Sequence, residues 1–200
     1  MRFVIMSGDP EPTIHHVDRK DKKSIPAKII IIGDPVVGKT SLIKKYVKNA
    51  IESEYMPTVG AEISHQPVKL MLGSQMINVS LMIWDIAGQK QFKQLRKVYY
   101  NGAKGIVMVF DLTNPQTLAS IQAWYDEAVG FNLGKVPMIL VGNKNDLATL
   151  RQVSQEDVDQ VKEGTHVSEY VETSALTGEH VTEMFYKMAE LIFARLLKKA

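Results

Sequence analysis

The residues best placed to do concerted chemistry are Gly33-Asp34-Pro35-Val36-Val37-Gly38-Lys39-Thr40, which satisfy the pattern G-x-x-x-x-G-K-[ST]. By residue frequencies that pattern arises in roughly one chain in a hundred of this length, so it carries weight by itself. The spacing suits phosphate. Gly33 and Gly38 let the backbone fold into a nest of N–H groups pointing at anionic oxygens, and a helix starting at the loop's end turns its positive pole to the same anion. Lys39 adds a point charge for the outer phosphates, and the Thr40 hydroxyl, with Ser41 beside it, can reach magnesium or phosphate. Two residues depart from easy nest-building: Pro35 has no N–H to donate, and Val36 stands where a smaller residue would fit. Either the remaining donors complete the nest, or Pro35 alters hydrolysis.

Three further segments acquire meaning from their position relative to this loop. Asp85-Ile86-Ala87-Gly88-Gln89 follows an apolar strand ending at Trp84. D-x-x-G is common by chance, but an Asp at the carboxyl end of a strand beside the loop's own strand lies where such sheets bind ligands. Asp85 can hold magnesium through water, Gly88 can bring an N–H to a terminal phosphate, and Gln89 can orient an attacking water. Thr58, in the loop before the edge strand, can bring a second hydroxyl to the metal and so order that loop when a terminal phosphate is present. Asn143-Lys144-Asn145-Asp146 follows another apolar strand. There Asp146 can accept two N–H bonds from guanine, Asn143 can brace neighbouring loops, and the Lys144 stem can cover the base. Ser174, Ala175 and Leu176, after the last strand, can offer N–H groups to the base carbonyl.

Alternating elements must position these segments. Short β-branched or apolar runs at residues 27–32, 105–110, 137–141 and 167–171 read as buried strands. Helical patterns at 39–48, 115–129, 155–162 and 179–197 lie between and after them. Residues 62–72 and 75–84, joined by Gly73-Ser74, form a hairpin signal. The expectation is an α/β fold, a three-layer α/β/α P-loop NTPase architecture around a six-stranded mixed sheet, five strands parallel and one antiparallel at an edge. Residues 1–24, polar and without period, are expected to be a flexible extension, and 25–200 the nucleotide-binding domain.

Composition narrows the classes further. The chain has 200 residues and 45% hydrophobic content, enough for a core without staples. Its formal charge, 24 − 22 = +2, gives no case for a nucleic-acid partner. With five scattered histidines and no cysteine, neither a histidine metal site nor a disulfide is expected, and a reducing compartment fits. No apolar run approaches the ~18 residues of a membrane span.

Taken in order, these segments resemble the Ras superfamily of small GTPases over about residues 27–197. Leu81-Met82-Ile83-Trp84-Asp85, Tyr99-Tyr100-Asn101-Gly102-Ala103 and Asp111-Leu112-Thr113-Asn114 look most like its Rab branch. The resemblance implies a monomeric cytoplasmic switch that binds GTP and GDP with magnesium, hydrolyses GTP slowly, and meets effector, exchange and activating proteins through residues 51–65 and 85–100. It assigns Lys39 and the loop (Gly33, Asp34, Val37, Gly38) to the phosphates, and Thr40, Thr58 and Asp85 to the metal. Gln89, Lys39 and Thr58 fall to catalysis, and Asn143, Lys144, Asp146, Ser174 and Ala175 to guanine. It also marks departures. Ile51 replaces an aromatic cover on the base, which implies faster release. Lys90 replaces an acid, and Ile63 replaces a Phe in an effector cluster with Trp84 and Tyr99. Lipid-bearing cysteines are missing after the last helix, so either a tail was trimmed or the protein needs no lipid and reaches membranes through partners. The apolar face of that helix, including Met184, Met188, Leu191 and Ile192, suits core packing better than membrane contact. Two other classes stay open: a GTP-dependent scaffold that barely hydrolyses, and an ATP-using P-loop kinase, which Asp146 disfavours.

Overall fold

In this computed structural model, residues 24–48, 58–88 and 93–198 are described. The strands are β1 (Ile25–Ile32), β2 (Ala61–Leu72), β3 (Gln75–Ile86), β4 (Gly105–Asp111), β5 (Met138–Asn143) and β6 (Glu169–Thr173). The helices are α1 (Lys39–Lys48), α2 (Lys93–Tyr100), α3 (Pro115–Ala119), α4 (Ile121–Gly130), α5 (Gln155–Thr165) and α6 (Val181–Leu197). A 3₁₀ turn spans Asn145–Leu150. The sheet runs β2-β3-β1-β4-β5-β6, and only the β2–β3 pair is antiparallel. The mixed sheet with one antiparallel edge is therefore observed as expected.

Burial follows from alternation on a sheet covered on both faces. Ile29 and Ile31 of β1 point into one core with α1 and α6, while Ile30 and Ile32 point into the other with α4 and Val158 of α5. Every residue of β4 and β5 is buried, which is why they read as continuous apolar runs. At the edge, β2 alternates instead, and Gly73, at φ +60, closes the tight link to β3. On α6, Val181, Met184, Phe185, Met188, Ala189, Ile192 and Phe193 are buried, a stripe at helical spacing. That face is core. Leu191 packs partly buried against the same cluster.

Several elements differ from the sequence reading, among them the last strand, expected over 167–171 and found at Glu169–Thr173. The helix expected over 115–129 is two segments meeting at Ser120, whose hydroxyl donates to the Gln116 carbonyl at 3.1 Å. Ser120 itself keeps helical dihedrals, φ −72 and ψ −16, and the Trp124 N–H reaches its carbonyl at 3.2 Å. Helix α2 was not anticipated, because the buried side chains among its described residues, Arg96 and Tyr100 one turn apart, do not spell an apolar stripe. The last helix begins at Val181 rather than 179, since Gly178 and His180 both take positive φ.

Phe185 joins the layers. It is fully buried and stacks on Tyr46 of α1, with ring centroids 4.1 Å apart. Phe185→Ala should cost about 3–5 kcal/mol of unfolding free energy, measured by urea denaturation.

Candidate functional site

The carboxyl ends of β1, β3, β4 and β5 lie side by side in the sheet, and the loops leaving them carry the candidate residues. Between β1 and α1, Gly33 takes φ +142 and Gly38 takes φ +96. A side chain on Gly33 would collide with the Val109 carbonyl of β4, and one on Gly38 with the Asn143 amide of β5. Glycine is thus demanded at both places by neighbouring strands as well as by dihedral angle. Lys39 arches back over the loop. Its Nζ donates to the carbonyls of Gly33 at 2.9 Å and Asp34 at 2.7 Å. Burial pushes this ammonium down to about 8, against the opposing pull of the Asp85 and Asp34 carboxylates. A cation so placed favours any anion brought into the loop.

Val36 is the strained member. It sits at φ +67, a left-handed conformation that a β-branched side chain disfavours, and it stays 60% exposed.

The three oxygen-bearing residues expected at the metal come together from separate segments. Thr40 Oγ1 donates to Asp85 Oδ2, the Thr40 and Thr58 hydroxyls are 2.9 Å apart, and Thr58 Oγ1 lies 3.4 Å from Asp85 Oδ2. Asp85 is 2% exposed, and its other oxygen, Oδ1, is buried without a hydrogen-bond partner among the described residues. Burial raises the pKa of this carboxyl, with Thr40 and Lys39 acting in the opposite sense. A hard divalent cation fits such a set, because it takes oxygen ligands and would answer the unpartnered carboxylate oxygen. Gly88 follows closely. Its Cα lies so near the Gly33 carbonyl and the Asp34–Pro35 peptide that no Cβ would fit.

Two strands along, Asn143 is 1% exposed and ties three segments together. Its amide donates to the Val37 carbonyl at 2.8 Å, and its Oδ1 accepts from Ala175 N and Thr173 Oγ1, both at 3.2 Å. Ser174 donates to Asp146 Oδ1 at 2.5 Å, leaving the second carboxylate oxygen of Asp146 outside that bond. Lys144, at φ +71, pairs with Asp111 at the end of β4. Burial works against the Asp111 charge, yet the bonds from Lys144 and Thr113 hold this carboxyl below the usual range.

Comparison with known proteins decides the family. The Ras family profile matches residues 28–194. The chain belongs to the Ras family. Within that family it is 33% identical over 169 residues to GTP-binding protein ypt4 of Schizosaccharomyces pombe, covering 84% of this chain and 72% of that one. It is 36% identical to Ras-related protein Rab-4 of Dictyostelium discoideum, covering 84% and 80%. To Ras-related protein Rab-34 of Mus musculus it is 37% identical, covering 84% of this chain but 64% of the relative. These relatives place it as a small GTPase of the Rab branch, a guanine-nucleotide switch and GTP hydrolase.

Not every expected residue enters this geometry. Gln89, Lys90 and Ile51 lie outside the described residues, as do 1–23 of the expected extension and parts of both expected partner segments. Ser41 is exposed on α1, and Leu176 is 53% exposed beyond the Ser174 turn. Ile63 and Trp84 are cross-strand partners, and Tyr99 lies 6.0 Å from Trp84 between ring centroids, so Trp84 has both other residues of the expected cluster as neighbours. Sequence reasoning missed Asp111 as the partner of Lys144, and Trp124 as a donor to Asp34 at 2.9 Å. Asp111 stood in a stretch that had marked the Rab branch. Trp124, far along the chain from Asp34, carried no local signal.

Replacing Val36 by glycine keeps the turn and removes the strained Cβ. After glycine's larger unfolded-state entropy is set against that relief, Val36→Gly should stabilise the fold by about 1 kcal/mol. Chemical denaturation checks this, and a loss of stability would refute strain at Val36.

Proposed function

We propose that this Rab-branch GTPase binds GTP and GDP across the loop at 33–40 and the segment at 143–146, with magnesium held by Thr40, Thr58 and Asp85. The observation that carries the reading is the convergence of those three residues from α1, the loop before β2 and the end of β3, beside the buried Lys39. When bound, magnesium would neutralise charge on the phosphate oxygens. The rest falls to the chain. Lys39 and the N–H groups of Gly33, Asp34, Val37, Gly38 and Thr40 hold the phosphates. Gly88 offers its N–H from against the loop, and Gln89 orients the attacking water. Thr58 couples the segment before β2 to the metal, so the terminal phosphate decides whether partners can engage residues 51–65 and 85–100. No arginine stands in the phosphate loop or in residues 51–65, so intrinsic hydrolysis is slow and an activating protein accelerates it by supplying a cation.

Asp146 selects guanine, with Ser174 fixing one carboxylate oxygen, and Asn143, which takes the Ala175 N–H, bracing the loops around the base. The names of the Rab relatives support a membrane-traffic role. Among the described residues, no helix is long and apolar enough to cross a membrane.

Purified protein with magnesium should bind GTP and GDP in preference to ATP and hydrolyse GTP in single-turnover assays. Gln89→Leu should slow hydrolysis by about a hundredfold while leaving GTP bound, the loss typical of a group that acts only in the transition state. Equal competition by ATP would overturn the reading. A second substitution addresses base selection. Asp146→Asn exchanges an acceptor pair for an amide, so guanine affinity should fall by about tenfold or more, while xanthine, whose C2 carbonyl accepts from an amide, should bind better. Competition titrations with GTP and XTP check both directions.

A further inference from the structure

A continuous run of buried and half-buried side chains joins α2 to the phosphate loop without passing through any residue assigned to the metal or the base. Arg96 of α2 is 4% exposed. Its Nε donates to Glu127 Oε1 at 2.7 Å and its Nη2 to Glu127 Oε2 at 2.9 Å, a bidentate pair with α4. Tyr100, one turn along α2, donates its hydroxyl to the same Oε1 at 3.0 Å. The guanidinium lies over the Trp124 indole, 4.5 Å from the ring centroid. Trp124 in turn donates its Nε1–H to Asp34 Oδ1 at 2.9 Å, and the Asp34 carbonyl accepts from Lys39.

Two physical points make this more than packing. A buried ion pair is weak evidence of stability, because an apolar substitute of similar volume often does as well. Its better-attested use is fixing one arrangement among several. Asp34 also poses an electrostatic problem. A carboxylate in a loop that binds phosphate competes with the phosphate for Lys39, and Coulomb attraction from Asp34 already acts on that ammonium. A neutral donor such as an indole N–H can retain the carboxylate without adding a cation that would itself draw the phosphate.

We propose that Trp124, held by Arg96 and Glu127, is a positioning residue of the phosphate loop: it keeps the Asp34 carboxylate on α4, away from Lys39, and thereby links nucleotide release to the seating of α2. This rests on the guanine-nucleotide reading above. Trp124→Phe keeps an aromatic surface under Arg96 but removes the donor. The unbound carboxylate then competes for Lys39, and GDP release should accelerate about tenfold, the weight of one charge-assisted hydrogen bond. In an Asp34→Ala background there is no carboxylate to restrain, so adding Trp124→Phe should change release less than twofold. Asp34→Asn, which keeps an acceptor but no charge, should likewise blunt the effect.

The test is stopped-flow release of fluorescently labelled GDP from the full chain in magnesium, for both single variants, the Asp34→Asn pair and the Asp34→Ala pair. If Trp124→Phe accelerates release equally with and without Asp34, its role is packing alone and the proposal falls. Because Trp124→Phe can also lower stability, a second measurement uses Trp124 itself. In a Trp84→Phe variant, the emission of Trp124 should shift when GDP is exchanged for a non-hydrolysable GTP analogue, and pairing that variant with Arg96→Met and Glu127→Met should abolish the shift. Emission unchanged between nucleotides overturns the link to α2. Failure of the unmodified chain to bind labelled GDP would overturn the nucleotide reading and this proposal with it, whereas binding with unmoved release rates overturns this proposal alone.

Discussion

A positive charge buried at the end of a parallel sheet must be answered by negative charge or by oriented oxygen, and Lys39 imposes that condition on everything around it. Its ammonium is 7% exposed and is held by two carbonyls of the loop from which its own helix starts. That loop turns with Gly33 and Gly38 at positive φ, both lying hard against β4 and β5. The close approach in turn requires β1 at the centre of the sheet, flanked by β3 and β4. The parallel order is therefore the condition under which one lysine can be desolvated and still charged, ready for an anion in water-poor surroundings.

The same desolvation acts on Asp85 with opposite sign. Lys39 and Asp85 attract one another through the site, yet burial penalises both charged forms. Thr40 and Thr58 offer hydroxyls that can donate to the carboxylate or accept a cation beside it, so the cluster suits a site that is loaded and unloaded. A carboxylate in either threonine's place would add like charge next to Asp85 and raise the cost of emptying the site. The polarity of the site is thus balanced between a lysine, an aspartate and two neutral groups that adapt to whatever is bound.

How much of this could be read from the residues depends on the range over which each interaction acts. Gly33 through Thr40, Asp85 through Gly88 and Asn143 through Asp146 are contiguous, because each segment is a single strand end with its following turn, and chemistry confined to one turn leaves a local pattern. The buried strands were legible for the same reason, since burial on both faces leaves an apolar run. What escaped was burial satisfied by partners distant in sequence. Nothing local marks Arg96 as buried, because its counter-charge, Glu127, belongs to a different helix. The division at Ser120 left no local signal, because good helix formers stand on either side and the residue itself keeps helical dihedrals.

These long-range contacts give the loop two ties of different physical kind to the segment that follows β3. Gly88 is a steric tie, with backbone packed against the Gly33 carbonyl and the Asp34–Pro35 peptide so closely that any side chain would push the two apart. Trp124 is a polar tie that reaches the same Asp34 from α4, with α2 anchored behind it through Arg96. A steric tie is insensitive to charge and falls off within a fraction of an ångström. A hydrogen bond to a carboxylate responds to every charge within several ångströms. Both converge on Asp34, the steric tie reaching Pro35 as well, and Val36, the residue after Pro35, is the one in the loop held in a conformation its side chain disfavours. Strain is tolerated where surrounding contacts over-determine the backbone. Here a proline ring, a close-packed glycine and an indole-anchored carboxylate provide that over-determination, so the loop can carry Val36 at positive φ without giving up its shape.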